Sequence, residues 1–457
     1  MCIKSNRHIT ILGGGPAGLA IGYYAKKSQL PFTIYEANKR VGGNCVTLQH
    51  DKFLYDSGAH RFHDKDPRVT EEIKQLLGED LRKINSPSQI FHSGKYIDFP
   101  LSPLNLIRNI GADKTLRAGF DFVSSKLRSH KNGSFENYAL GAYGKTIAND
   151  FLLNYSRKLW GISCKNLSPA VAGKRLEGLN LKTFLLEAIS GQKVKTEHLD
   201  GSFYYPKMGY GTIVDKLADY CGEGNIKKNA GVTKVFHDHD KIKGVEINGK
   251  TQIATEELVS TLPVTLFLRM MDPKPPQKIL DLVNSIQFRS LILVGLFLDK
   301  ETVTPNATVY FPESKYAFTR IIEPRNRSVH MSPQGKTSLI AEIPCQNEDE
   351  VWNLKDGELI ERITNQLCGI KWIKEREILG STVYRVHYAY PVLEKGFEQK
   401  IEPIMGYLKR FKNLKISGRS GIFKYTHMHD MIGFGHTIIE EYLANYEEKA
   451  AAMVSPG

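Results

Sequence analysis

The run His8-Ile9-Thr10-Ile11-Leu12-Gly13-Gly14-Gly15-Pro16-Ala17-Gly18-Leu19-Ala20 constrains this chain more than any other stretch of it. A short apolar run enters a turn with G-x-G-x-x-G spacing, and small residues in a helical pattern follow. Strand, glycine turn and helix in that order make a cradle for a pyrophosphate. Gly13 permits the tight turn, Gly15 lets a phosphate approach the backbone, and Gly18 lets the helix pack closely on the strand. Pro16 and Ala17 lie at the helix start, where free N–H groups and the positive dipole end face the phosphates. A second apolar run, Phe32-Thr33-Ile34-Tyr35, ends in Glu36. That is about the twenty-residue distance expected of the acid that binds a ribose hydroxyl. A glycine turn that only packed a helix on a sheet would leave Glu36 unexplained.

The residues after the acid narrow the dinucleotide. In Asn38-Lys39-Arg40-Val41-Gly42-Gly43-Asn44-Cys45-Val46-Thr47 a basic residue and a Gly-Gly pair follow the acid. This resembles the second signature of the two-dinucleotide-binding-domain flavoproteins, the GR2 type. The resemblance implies a non-covalently bound FAD, with Arg40, Gly42, Gly43 and Asn44 at the cofactor. The familiar form carries an arginine where this chain has Asn44. No second G-x-G-x-x-G unit is present, which argues against a stable NAD(P)H site.

A chain of 457 residues suggests two or three domains. No stretch approaches the roughly 20 apolar residues of a membrane span. The N-terminus enters the nucleotide-binding strand directly, so the expectation is a cytoplasmic enzyme. The six cysteines are scattered without a C-x-x-C pair, which suits a reducing compartment and argues against zinc. His237-Asp238-His239-Asp240 lies between two β-rich runs and reads as a polar hairpin tip rather than a metal site. Lys and Arg exceed Asp and Glu by 62 to 49, so an anionic partner is expected. No zinc finger, RNA-recognition signature or aromatic-interleaved basic tract points to nucleic acid. A diphosphate-bearing small molecule fits better, with peripheral contact at the inner face of the membrane as a further option. Between Leu104 and Lys131, basic residues alternate with Leu, Ile and Phe; this is either a solvated face or a basic amphipathic helix resting on a membrane. The sequence leaves the oligomeric state open.

The order of elements reads as α/β: a Rossmann-like FAD-binding domain interleaved with a mixed α+β substrate domain. Residues 1–65 are assigned to the first part of the FAD domain and 66–200 to a mainly helical substrate part. Residues 201–270 return to the FAD domain, and Val232 falls there at the cofactor. Residues 271–400 form a β-rich substrate part, and 401–457 bring back the FAD domain with a C-terminal helix.

This layout resembles the superfamily of amine oxidases, protoporphyrinogen oxidases and carotenoid desaturases over nearly the whole chain. Several motifs are similar to one branch, the UDP-galactopyranose mutases and their oxidoreductase-like relatives. These are Tyr55-Asp56-Ser57-Gly58-Ala59-His60-Arg61-Phe62, Leu159-Trp160-Gly161-Ile162 with Lys174-Arg175-Leu176, Ala389-Tyr390-Pro391, and Gly418-Arg419-Ser420-Gly421-Ile422-Phe423-Lys424-Tyr425. The resemblance implies His60 beside the flavin, as a tuning hydrogen-bond partner or a proton carrier, with Gly418 and Arg419 at the cofactor. It implies Trp160, Arg175, Tyr390 and Tyr425 on the substrate, with His60 and Arg175 as the catalytic candidates. Two departures stand out. The branch carries a second arginine on a strand where this chain has Leu296-Phe297-Leu298, and Arg320 lies at another similar position. The branch's Asn-Gln-Asp run is replaced by Thr426-His427-Met428-His429-Asp430-Met431. The expected activity is hydride transfer to FAD from a nucleotide- or lipid-linked sugar or related envelope intermediate. The alternative is non-redox isomerisation of UDP-galactopyranose with reduced flavin as nucleophile.

Overall fold

The computed structural model describes residues 8–99, 105, 109–126, 133–175 and 202–454. Ile9–Leu12 is buried at every position, as a strand with parallel neighbours on both sides and helices above must be. It is central in five parallel strands ordered Leu414–Ile416, Glu257–Ser260, Ile9–Leu12, Phe32–Tyr35 and Ile226–Lys227. The chain therefore leaves this sheet and re-enters it three times, which is the interleaving that the pattern of runs suggests.

Helix Pro16–Lys27 is buried continuously from Ala17 to Ala25. Its solvent side is covered by the C-terminal helix Met428–Val454. The two backbones meet closely at Gly435, where a Cβ would come within 2.9 Å of the Ala20 Cβ. The hairpin Val232–Asp238 with Lys241–Ile247 caps the edge of this half. His237–Asp240 forms its tip, and His237 Nε2 bonds the Pro273 carbonyl at 2.9 Å.

The other half is built on a seven-stranded sheet ordered Ile378–Pro391, Phe288–Leu298, Thr337–Cys345, Arg320–Ile322, Thr308–Tyr310, Ser88–His92 and Lys95–Phe99. Its last two strands come from the segment expected to be mainly helical. They form a hairpin because Ser93 and Gly94 both adopt positive φ, 51° and 78°, the two-residue turn whose twist matches flanking strands. Leu81–Asn85 is a further strand from that segment, paired with Ser202–Pro206. The helices Ala112–Lys126, Phe135–Ile147 and Asn154–Trp160 flank the sheet. The last ends at Gly161, whose φ of 70° is the left-handed cap that glycine favours. Among the described residues no helix is long and apolar enough to cross a membrane.

Candidate cofactor and substrate site

The glycine turn has the shape that its sequence requires. Gly13 has φ 97°, and a Cβ there would lie 2.5 Å from Thr261 Oγ1. At Gly18 a Cβ would collide with the Gly13 carbonyl at 1.9 Å, so that glycine serves helix packing. Gly15 differs from both: a Cβ would meet no atom closer than Gly43 Cα at 3.8 Å. On its Cβ side Gly15 meets the Gly42–Gly43 turn at van der Waals distance, and a Cβ on Gly43 would lie 3.2 Å from Gly15 Cα, so the two glycine backbones pack together beside the helix start, whose free N–H groups suit a pyrophosphate.

The Glu36 carboxylate is buried and accepts from Gly14 N (2.7 Å), Asn38 N (2.9 Å) and Asn38 Nδ2 (2.7 Å). A carboxylate has about four acceptor sites, so one remains for a ribose hydroxyl. Ala230 N bonds the Glu36 carbonyl at 2.8 Å, which brings the start of the Val232 strand beside the acid. Arg40 donates to the Thr47 carbonyl at 3.1 Å and so braces the loop.

Asn44 ties the cofactor loop to the substrate sheet. Its amide donates to the His387 carbonyl at 3.0 Å, and its own carbonyl accepts from Ser57 Oγ at 2.8 Å and His60 Nε2 at 3.0 Å. Because a carbonyl only accepts, Nε2 carries the His60 proton. The ring stacks on Tyr210 with centroids 5.0 Å apart. Burial, with Arg419, Arg327 and Arg320 nearby, pushes the imidazole down to about 3. Both effects favour the neutral imidazole. The hydrogen-bonding and orienting role is compatible with this geometry.

On the substrate side, Arg320 and Glu342 form a buried ion pair. Burial alone would weaken the guanidinium's hold on its proton, but Glu342 and nearby phenols more than offset it. Arg320 also donates to the Tyr390 hydroxyl at 3.0 Å, which leaves the phenol's own proton to donate elsewhere. Burial pushes Tyr390 up to about 12, so it stays protonated. Tyr390, Tyr425 and the buried Trp160 form a triangle of rings with centroids 5.9–6.1 Å apart. The Arg419 guanidinium lies over both tyrosines, 5.8 and 5.3 Å from their centroids. It is locked there by the carbonyls of Thr426 and Ala389. The residues that replace the Asn-Gln-Asp run line a cavity of about 570 Å³ together with Tyr425, Lys65, Asp66 and Arg68.

A family model described as flavin containing amine oxidoreductase matches residues 16–391. The chain belongs to that family. FAD is its cofactor, and the glycine turn at the start of helix Pro16–Lys27, with the buried Glu36 carboxylate beside it, fits it. The chain is 21% identical to a coproporphyrinogen III oxidase of Bacillus subtilis (strain 168) over 426 residues, covering 87% of this chain and 90% of that one. It is equally similar, 21% over 490 residues, to the coproporphyrinogen III oxidase of Staphylococcus aureus (strain NCTC 8325 / PS 47), with 96% and 99% covered. Among solved structures, a reduced UDP-galactopyranose mutase has the same fold, with a TM-score of 0.84 at 19% identity and 96% of each chain covered.

Within this family member, the expected residues do not all converge. Trp160, Tyr390, Tyr425, Arg320 and Arg419 come together, as do His60 and Asn44. The Arg175 side chain lies outside the described residues, although its backbone ends the turn Pro169–Arg175. Leu296-Phe297-Leu298 is interior, with Phe297 stacked on His50 at 4.4 Å. Arg320 is two strands away and is already neutralised by Glu342.

Three charged residues here were missed by sequence reasoning. Glu342 accepts from Ala59 N at 2.8 Å and so links the ion pair to the His60 loop. It is the lone charge in the apolar strand Thr-Ser-Leu-Ile-Ala-Glu-Ile-Pro-Cys, a signal that could have exposed it. Arg327 donates to the His60 carbonyl at 2.9 Å, and Lys158 gives its three donors to the carbonyls of Phe311, Glu313 and Phe318. Neither stands out from its sequence neighbours.

Proposed function

We propose that this enzyme is an FAD-dependent oxidoreductase that removes a hydride from an anionic, diphosphate-bearing substrate: a nucleotide- or lipid-linked sugar or a related cell-envelope intermediate. The observation that carries this reading is the cluster of Arg320, Tyr390, Tyr425 and Arg419. Arg320, Arg327 and Arg419 all bear on His60, while the buried carboxyls of Glu342 and Asp56 lie beside Arg320 and Arg327. A site with that balance repels a protonated amine and attracts an anion. Gly13, Gly15, Gly18, Glu36, Gly42 and Gly43 hold the cofactor, which when bound supplies the two-electron acceptor. Tyr390, polarised by Arg320, offers a hydroxyl donor to a substrate oxygen, and the aromatic triangle offers a flat wall for a sugar or base. Arg419 keeps Tyr390 and Tyr425 in place. His60, Asn44 and Arg327 fix the loop beside the ring and keep it uncharged. The Arg175 guanidinium is assigned to the diphosphate on the motif alone.

A mutase-type isomerisation of UDP-galactopyranose is the second reading, favoured by the Tyr390–Tyr425 pair. The test is the visible spectrum of the anaerobic, FAD-loaded protein titrated with nucleotide sugars, lipid-linked sugars and coproporphyrinogen III. Bleaching by a diphosphate-linked sugar supports the proposal. Product formed only after prior reduction of the flavin, without bleaching, moves the enzyme to the mutase reading. Bleaching by coproporphyrinogen III alone overturns the sugar assignment.

A further inference from the structure

Most large apolar side chains of the described residues are buried, but three of the most exposed lie on one helix. Leu116, Phe120 and Val123 are 75%, 76% and 63% exposed, and their i, i+4, i+7 spacing places them on one face of Ala112–Lys126. The opposite face fixes the helix's rotation. Ala118 is buried there, and Asp121 accepts from Thr146 N and Oγ1 at 3.1 and 2.5 Å. Lys114 pairs with Asp150 at 2.6 Å. At Gly144 a Cβ would lie 2.7 Å from Phe122 N, so the neighbouring helix presses on this one too closely to let it roll. The apolar stripe therefore faces away from the described residues.

We infer that Leu116, Phe120 and Val123 insert into an anionic lipid surface, with the helix lying parallel to it. Charge selects this occupant. The stretch Leu104–Lys131 carries six Lys or Arg against two Asp; on the helix Arg117 and Asp113 are both exposed, and the positive excess comes from Arg108, Lys126, Arg128 and Lys131 toward the ends of the stretch. An apolar helix face within a basic segment suits a membrane that offers negative headgroups and a shallow acyl layer. A second copy of the chain is a poor occupant, because each copy carries a net charge of +13 and like-charged surfaces repel.

The experiment is co-sedimentation of the full-length, FAD-loaded protein with phosphatidylcholine vesicles, with and without phosphatidylglycerol. The native protein is expected to pellet with the anionic vesicles and to be released by salt. The triple variant Leu116→Ser/Phe120→Ser/Val123→Ser is expected to bind about tenfold more weakly or worse, with its flavin absorbance unchanged because these side chains project outward. Arg117→Glu, which leaves the apolar stripe intact, is expected to weaken binding to anionic vesicles only. Absence of native binding at low salt overturns the inference, as does undiminished binding by the triple variant. A native dimer that the triple variant converts to monomer, seen by light scattering, overturns it too and assigns the face to a second copy. No substrate is needed, so the result is independent of the proposed reaction.

Discussion

The cofactor cradle and the substrate cluster are built from different materials. Around Gly15 the working surface is backbone, assembled within the short span from Ile9 to Gly43, and glycine matters there because it contributes nothing. Around Tyr390 the working surface is side chains drawn from Trp160, Arg320, Glu342, Tyr390, Arg419 and Tyr425, with charges held away from water. At Gly13 and Gly18 the cradle tolerates no added atom. The cluster tolerates no lost partner.

The sharpest way to break this contrast is at Gly15. Gly15→Val puts a branched side chain against the Gly43 backbone at the helix start, so the purified protein should be colourless and take up no added FAD, judged by visible absorbance. Full flavin content would show that the pyrophosphate lies elsewhere. The next effect in size belongs to the cluster. Glu342→Gln leaves the Arg320 guanidinium buried without its counter-charge and should cost about 3–5 kcal/mol in a urea unfolding titration, while the folded protein keeps its flavin. Loss of flavin without loss of stability would mean that cradle and cluster are one unit.

The smallest effect lies at the junction of the two regions. His60 takes up a proton at about 6.5 in the unfolded chain but only at about 3 in the folded one. The folded state therefore holds a stability advantage above 6.5 that is lost as pH falls toward 3. Replacing His60 with Gln removes that titration. The variant's melting temperature should fall less steeply with acidification, by a few degrees across this interval. Parallel profiles would remove His60 from the buried, arginine-flanked setting described above.

The same contrast explains what the sequence made legible. Gly13, Gly15, Gly18 and Glu36 act through local backbone geometry, so their spacing encodes their arrangement. Tyr390 and Tyr425 were reached through motif resemblance, not through any property of their neighbourhoods. Arg327 and Lys158 gave no sign, because what makes them distinctive is burial created by segments far away in the chain. The hairpin Ser88–Phe99 was read as part of a helical region, since a Ser-Gly turn signals less strongly than Asn-Gly and its strands pair with partners more than 200 positions later.

The order of strands in the parallel sheet also bears on how the protein is made. Phe32–Tyr35 emerges from the ribosome well ahead of the far edge strand Leu414–Ile416 and of the helix that covers Ala20. At roughly 5–20 residues per second the first part waits on the order of half a minute for the last. Over that interval helix Pro16–Lys27 lacks the helix that covers Ala20, and the parallel sheet lacks its far edge strand.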